Sequence, residues 1–256
     1  HPQKGGRVIY DGIMAEHPDV GLPRAGMLHP NDLWADGEDR NQPPDWDAMK
    51  DRLAAKFENR VEWHWYTNIE HLPLPNPWEE GGPEPDSERA ELSRDMIRDF
   101  GIVVQELVGQ RYLGNYGGIA ALGVNRHANG YDKVLPAWKS WLTGRSETGR
   151  EHETSPLAVV GTGVQSHYYR HASRSVWAAN TVMTADWWRE KLPDVKWTAF
   201  VSPWNYQRDE PLDVRTFTLC FVNAKALYDY VVIWDHPDRE WDDIEEHVEA
   251  IQENLT

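Results

Sequence analysis

The chain has 256 residues, a length that single α/β barrels commonly occupy, so we expect one domain over residues 1–256. Its 26 Lys and Arg against 42 Asp and Glu give a formal net charge of −16, which disfavours nucleic acid and anionic membrane surfaces as partners. No apolar run is long enough to span a membrane, and the single cysteine, Cys220, excludes an intramolecular disulfide and a thiolate-rich metal site.

Predicted strands alternate with predicted helices along the whole chain. Residues 7–14 are predicted to form a strand, and the Pro- and Gly-rich stretch that follows through residue 44 is predicted to be a loop. In chain order there follow a helix over 45–57, a strand over 60–70, a broken loop over 73–85, a helix over 86–110 and a strand over 111–118. The second half has a short helix over 131–142, a loop over 143–155, strands over 156–169, 196–206 and 230–235, and helices over 174–192, 213–228 and 241–255.

Six strands, each followed by a helix, predict a parallel sheet with right-handed crossovers, either closed as a barrel or open and doubly wound. The phosphate-binding patterns GxGxxG and GxxxxGK[ST] of open nucleotide-binding sheets are absent. Polar or aromatic residues stand at the carboxyl end of nearly every predicted strand, the edge at which barrel enzymes place their sites. We therefore predict a (β/α) TIM-type barrel, with eight units or one fewer.

Asn68 and Glu70 are the most informative pair among these strand ends. Residues two apart in a strand point to the same side, so both would face one space. The aromatic neighbours Trp65 and Tyr66 would desolvate Glu70 and raise the pKa of its carboxyl, which suits a general acid. A Glu paired with a basic residue at the barrel rim is the alternative.

The segment Asn68-Ile69-Glu70 resembles the Asn-x-Glu pair of the endo-β-N-acetylglucosaminidases and is similar to the Asp-x-Glu pair of the hyaluronidase family. The hyaluronidase resemblance extends to the long helix that follows and to the strands around residues 111–116, 200–206 and 232–234. It implies a glycoside hydrolase barrel in which Glu70 is the acid/base and Asn68 orients the substrate's 2-acetamido group, whose oxygen attacks the anomeric carbon with net retention. Asn68 stands where hyaluronidases have Asp, which puts a hyaluronan substrate in doubt.

A substrate without such a group would need a second carboxylate, for which Asp235 is preferred over Asp11 and Glu16. The other strand-end residues are candidates for binding sugar rings through flat aromatic faces or hydrogen bonds, although each ring fits a core equally well. The candidate substrate-binding residues are Asp11, Tyr66, Tyr116, His167, Tyr168, Trp204, Asn205, Tyr206 and Trp234.

We expect no metal and no cofactor. His167 and His171 would share a helix face, but their segment is predicted to run from a strand into a loop, and no HExxH occurs. The chain begins at His1-Pro2 without Met, which indicates a processed or trimmed chain, and we expect a secreted or periplasmic protein.

The sequence thus predicts a glycosidase that acts on a polysaccharide or glycan. Two other classes remain open. One is a barrel that binds carbohydrate without cleaving it. The other is a polysaccharide lyase, in which Tyr and His would remove the proton α to a uronate and no carboxylic acid would be essential.

Overall fold

A computed structural model describes residues 8–14, 16–69, 72, 87–116, 162–166, 173–191, 193–205, 210–235 and 239–253. The strands in these ranges are β1 (Val8–Gly12), β2 (Ala25–Leu28), β3 (His64–Asn68), β4 (Tyr112–Tyr116), β5 (Thr162–Ser166), β6 (Lys196–Val201), β7 (Trp204–Asn205), β8 (Glu210–Pro211) and β9 (Tyr230–Trp234). The helices are α1 (Pro30–Leu33), α2 (Trp46–Glu58), α3 (Glu88–Val108), α4 (Arg174–Lys191), α5 (Val214–Leu227) and α6 (Glu245–Glu253).

Seven of the described strands form two parallel sheets, ordered β1-β9-β6-β5 and β2-β3-β4. The sheets approach each other at both edges. Asp11 of β1 forms a parallel bridge with Arg24, next to β2, and its backbone N–H donates to Pro23 O at 2.9 Å. At the other edge β4 lies against β5. The described part of the chain is therefore a parallel α/β structure in which consecutive strands are spatial neighbours.

The helices α2 and α3 each begin at a side chain that caps the first turn. At the start of α2 the Asp45 carboxylate accepts from the N–H groups of Asp47 and Ala48, and Met49, Leu53 and Phe57 are buried at a spacing of four residues. Ser87 caps α3 by accepting from the N–H of Ala90. Both predicted helices are confirmed to within a few residues.

The predicted loop through residue 44 is wrong, because it contains β2 and α1. Strand β2 is only four residues long, and all four are buried, so it shows no alternation of apolar and polar residues. The predicted strand over 60–70 begins later, at His64, because Trp63 N–H donates to Arg60 O at 3.0 Å in a turn.

The predicted strand over 196–206 is also divided in the structure. Strand β6 ends at Val201, before Pro203, which has no N–H to donate to a neighbouring strand. Trp204 and Asn205 instead pair antiparallel with Pro211 and Glu210. The predicted short helix over 131–142 lies outside the described residues.

Side chains on opposite faces of the sheets belong to two separate cores. The outer core lies between the sheets and the helices and includes Leu53, Trp65, Phe100, Phe217 and Ile233. The inner face, defined by Tyr10, Ala25, Met27, Tyr66, Leu113, Tyr116, Phe200 and Val232, is a smaller cluster on the opposite side of the strands. Among the described helices, none combines the length and the apolar composition that crossing a membrane requires.

Candidate active site

Three rings of the inner face are in mutual contact near the carboxyl ends of β3, β4 and β6. The Tyr66 ring meets the Phe200 ring edge-on, with centroids 4.5 Å apart and planes at 81°. The Tyr116 ring lies 5.0 Å from Phe200 and 6.5 Å from Tyr66. Offset and edge-to-face contacts of this kind stabilise aromatic clusters beyond area burial. Two of the predicted site residues, Tyr66 and Tyr116, therefore lie together.

Asn68, the last residue of β3, lies just beyond these rings. It is two residues after Tyr66, so it shares the inner face, and it is directly opposite Tyr116 in the β3–β4 register. The next residue, Ile69, donates its N–H to Tyr116 O at 3.0 Å. Asn68 is partly buried. The predicted Glu70, His167, Tyr168 and Tyr206 lie outside the described residues.

Two tyrosine hydroxyls of the inner face, those of Tyr66 and Tyr10, are held in the protonated form. Burial, followed by the neighbouring Tyr116, raises the pKa of Tyr66 well above its usual value. Burial, followed by Tyr230, raises the pKa of Tyr10 to about 12. At neutral pH these groups can donate hydrogen bonds, but they are poor proton acceptors.

Asp11 is placed away from this inner face. Ile9, two residues earlier, belongs to the outer core, and the Asp11 carboxylate points to the same side. Its Oδ2 accepts from Arg24 Nη1 at 2.7 Å, and its Oδ1 accepts from the N–H of Ile13 at 3.0 Å. The predicted substrate-binding residue Asp11 is thus an outer-side partner of Arg24.

Two further candidates stand at the end of β9. Trp234, its last residue, is partly buried and packs against the inner face. Asp235, the predicted second carboxylate, follows directly and has a relative exposure of 0%. Asp235 is therefore buried in this conformation, and its role as a second carboxylate stays a prediction.

Trp204 and Asn205 belong to the short antiparallel β7–β8 ladder rather than to the end of β6. The Arg239 guanidinium lies 3.9 Å from the centroid of the Trp204 ring, in cation–π contact. One face of this indole is therefore covered by Arg239. Sequence reasoning missed Arg239, because a stacked pair 35 positions apart leaves no local pattern.

A cavity of about 760 Å³ lies away from Asn68, beside Asp11 of β1 and the amino ends of β2 and β3. It is lined by Glu16, His17, Asp19, Arg24, Glu62 and His64, among others. Burial, followed by Arg111, lowers the pKa of His64, while Glu62 raises it. Active sites of parallel α/β folds lie at the opposite, carboxyl edge, where Asn68 and Tyr116 stand.

Comparison with family models gave no match, and no curated protein matches the chain in sequence. A solved structure of bee venom hyaluronidase in complex with a hyaluronic acid tetramer has a TM-score of 0.58 and 10% sequence identity, covering 97% of this chain and 95% of that chain. The fold is similar to that of a hyaluronidase.

Two other solved structures match with lower scores. A monoclinic crystal structure of bee venom hyaluronidase has a TM-score of 0.40 at 13% identity and covers 93% of this chain and 69% of that chain. The Prevotella bryantii endo-β-mannanase/endo-β-glucanase has a TM-score of 0.49 at 11% identity and covers 98% of this chain and 48% of that one. The hyaluronidase complex, with its TM-score of 0.58, confirms at the level of the fold the hyaluronidase resemblance predicted from the sequence.

Proposed function

We propose that the chain is a glycoside hydrolase that cleaves a polysaccharide or glycan. The observation that carries the proposal is the position of Asn68: it ends β3 on the inner face, opposite Tyr116, in a fold similar to that of a hyaluronidase. The site residues themselves are carried over from the sequence pattern Asn68-Ile69-Glu70.

The architecture we propose is one domain over residues 1–256, closed as a seven-stranded β/α barrel. The parallel bridge between Asp11 and Arg24 joins β1 to the segment that leads into β2, and β4 lies against β5. These two junctions would complete the ring β1-β2-β3-β4-β5-β6-β9. In such a barrel the carboxyl ends of all strands converge on one face, so Asn68, Glu70 and Trp234 would border a single cleft.

In the mechanism we propose, the Glu70 carboxylic acid gives its proton to the glycosidic oxygen as the bond from that oxygen to the anomeric carbon breaks. The carbonyl oxygen of the substrate's 2-acetamido group forms the new bond to the anomeric carbon. The Asn68 side-chain oxygen accepts the acetamido N–H and holds the group in line. Water then attacks the same carbon, displaces the acetamido oxygen so that its bond to that carbon breaks, and gives a proton to the Glu70 carboxylate, so two inversions produce retention.

The aromatic inner face supports Asn68 from below. Tyr66, Tyr116 and Phe200 are buried, with relative exposures of 1%, 6% and 0%, so in this conformation they pack beneath Asn68 rather than present a sugar-binding surface. The raised pKa of Tyr66 and of Tyr10 makes these two phenols unsuitable as the proton-abstracting base of a lyase. We further propose that the enzyme is secreted or periplasmic.

The test is release of reducing ends from glycans with and without 2-acetamido sugars, comparing the parent chain with Glu70→Gln. The control is Glu62→Gln, an identical change at an exposed position just before β3. We expect activity on an acetamido glycan, a loss of about 10²-fold or more in Glu70→Gln, and parental activity in Glu62→Gln.

Three results would overturn parts of this proposal. Activity confined to glycans without acetamido groups would show that the substrate supplies no nucleophile and that a second carboxylate takes its place. A product that absorbs in the ultraviolet would indicate a lyase. Glycan binding without cleavage, equal in the parent chain and Glu70→Gln, would make the protein a carbohydrate-binding barrel.

A further inference from the structure

A buried hydrogen-bond network stands directly behind Asn68 and Tyr116, on the outer side of β3 and β4. It consists of Thr67, Tyr112 and Asn115, all of them buried. The Asn115 Oδ1 accepts from Tyr112 OH at 2.7 Å and from Thr67 Oγ1, and the two hydroxyl oxygens lie 3.1 Å apart. Asn115 Nδ2 donates to Ile97 O of α3 at 3.0 Å. The network thus joins two strands and the helix packed on them.

Each member of the network is a direct neighbour of an inner-face residue. Thr67 precedes Asn68 and is opposite Asn115 in the β3–β4 register, while Asn115 precedes Tyr116. Successive residues of a strand point to opposite faces. Holding Thr67 and Asn115 together on the outer side therefore holds Asn68 and Tyr116 together on the inner side.

An irregularity in β4 makes this arrangement possible. The register shifts between Trp65 and Tyr66, so that Trp65 is opposite Tyr112 but Tyr66 is opposite Gly114. The extra residue reverses the alternation, and Tyr112 and Asn115, three positions apart, both reach Thr67. Gly114 has φ 113°, a conformation that L side chains rarely adopt. Bulges of this type re-aim side chains next to active sites.

A second clamp fixes the other end of the same strand pair. Arg111, just before β4, donates from Nη1 to Trp63 O at 3.3 Å and to Val61 O. Both carbonyls precede β3. The register between the two strands is therefore restrained on both sides of the bulge. Since a slip of one residue would turn every side chain to the other face, such restraints fix which residues face the cleft.

We propose that Thr67, Tyr112 and Asn115 are positioning residues that hold Asn68 and Tyr116 in the geometry needed for glycan cleavage. This inference rests on the proposed hydrolase function. The network touches no substrate, because it is buried behind the strands. It acts by keeping the Asn68 amide and the strand that leads to Glu70 in place. This matters because even a small displacement of a group that orients the substrate lowers the reaction rate.

The test compares Thr67→Val, which removes the hydroxyl and keeps the shape, with Thr67→Ser, which keeps the hydroxyl. Thr184→Val is the matched control, because Thr184 is equally buried but lies in α4, with its hydroxyl donating to Asn180 O at 2.7 Å. Measurements are made at a temperature at which all the variants are folded. We expect Thr67→Val to lower kcat about tenfold or more with a smaller change in KM, and Thr67→Ser to recover most of it.

A second readout does not depend on activity. In amide NMR spectra, Thr67→Val should shift or broaden the Asn68 side-chain NH₂ signals, and Thr184→Val should leave them unchanged. Equal kcat values for Thr67→Val and Thr184→Val, with unchanged Asn68 signals, would overturn the positioning role. In that case an inactive Glu70→Gln variant would still support the hydrolase function. A parent chain that cleaves no glycan would overturn both proposals.

Discussion

Arg24 and Asp11 form a part-buried ion pair at the junction between the two sheets, with Arg24 Nη1 donating to Asp11 Oδ2 at 2.7 Å. The Asp11 side chain is only 2% exposed, whereas that of Arg24 is 30% exposed. The guanidinium also donates to Ile13 O at 3.1 Å and lies 2.5 Å from His17 Nε2. His17 in turn stacks on Trp241, so this pair connects β1, the loop that follows it and the turn before α6.

Removing the charge of Asp11 should weaken the fold without weakening glycan binding. We expect Asp11→Asn to lower the free energy of unfolding by about 2 kcal/mol, since a hydrogen bond to a charged partner typically contributes ~1.5–3 kcal/mol. Urea titration checks this, with the exposed Asp36→Asn as the control. KM should stay at the parental value, because the carboxylate lies on the outer side. A large rise in KM at unchanged stability would return Asp11 to the substrate-binding role that the sequence predicted.

Gly26→Ala should destabilise the contact between β2 and β3. A Cβ at position 26 would lie 2.7 Å from Trp65 Cζ3 and 3.0 Å from Trp63 Cε3, and forced overpacking typically costs about 1–3 kcal/mol. The double variant Gly26→Ala with Trp65→Phe should lose less stability than the sum of the single changes, because the smaller ring relieves the contact. Additive losses in thermal unfolding would show that the Trp65 ring is not what limits this position.

Asp213→Ala should destabilise α5, because the Asp213 carboxylate caps this helix by accepting from Thr216 N–H at 2.9 Å. Loss of such a cap costs about 1 kcal/mol. Asp51→Ala, a change at an exposed position within α2, is the control.

The contribution of Asp213 should also depend on pH. The Thr216 hydroxyl, aided by the Thr216 N–H and Arg174, lowers the pKa of Asp213 against the opposing effect of burial. A depressed carboxyl pKa stabilises the fold above the unfolded value of about 3.9, and this stability is lost as pH falls through the folded pKa. The difference between parent and Asp213→Ala should therefore shrink below about pH 4. A difference that stays constant down to pH 2 would contradict this assignment.

His64 should make the protein less stable on mild acidification. Burial and the Arg111 charge lower its pKa in the folded state, so the unfolded state takes up the proton first as pH falls below about 6.5. His64→Phe keeps a ring against Tyr10, whose centroid lies 4.5 Å away, and removes the titration. The free energy of unfolding should fall less between pH 7.5 and 5.5 in the variant than in the parent chain. An equal loss of unfolding free energy in the variant and the parent chain would show that groups other than His64 cause the pH dependence.

The sequence predicted the parts of this fold that depend on local order. The helices α2 and α3 have caps and apolar residues at helical spacing, and both were placed to within a few residues. Strand β2 was missed, because four consecutive buried residues carry no periodicity. The strand predicted over 196–206 was too long, because Trp204 and Asn205 have the composition of a strand but pair with a different segment.

In the candidate site, too, local sequence patterns predicted some features and the tertiary structure decided others. The pair of residues 68 and 70 is visible in the sequence, since a spacing of two in a strand implies a common face, and the structure places Asn68 on the inner face with Tyr66. The outward direction of Asp11 was not predictable. Its strand is buried on both sides, so apolar residues point in both directions, and only the partner Arg24 reveals which side the carboxylate takes.

What the sequence determined by itself was an alternation of strands and helices, polar residues at the strand ends and the Asn68-Ile69-Glu70 pattern, because these depend on neighbours a few residues apart. Only the tertiary structure decided that Thr67, Tyr112 and Asn115 meet behind the strands, that Arg239 covers Trp204 and that Arg24 holds Asp11. The bulge that brings the first three together depends on the register between β3 and β4. Register arises from pairing between segments about 45 residues apart, and no local pattern encodes it.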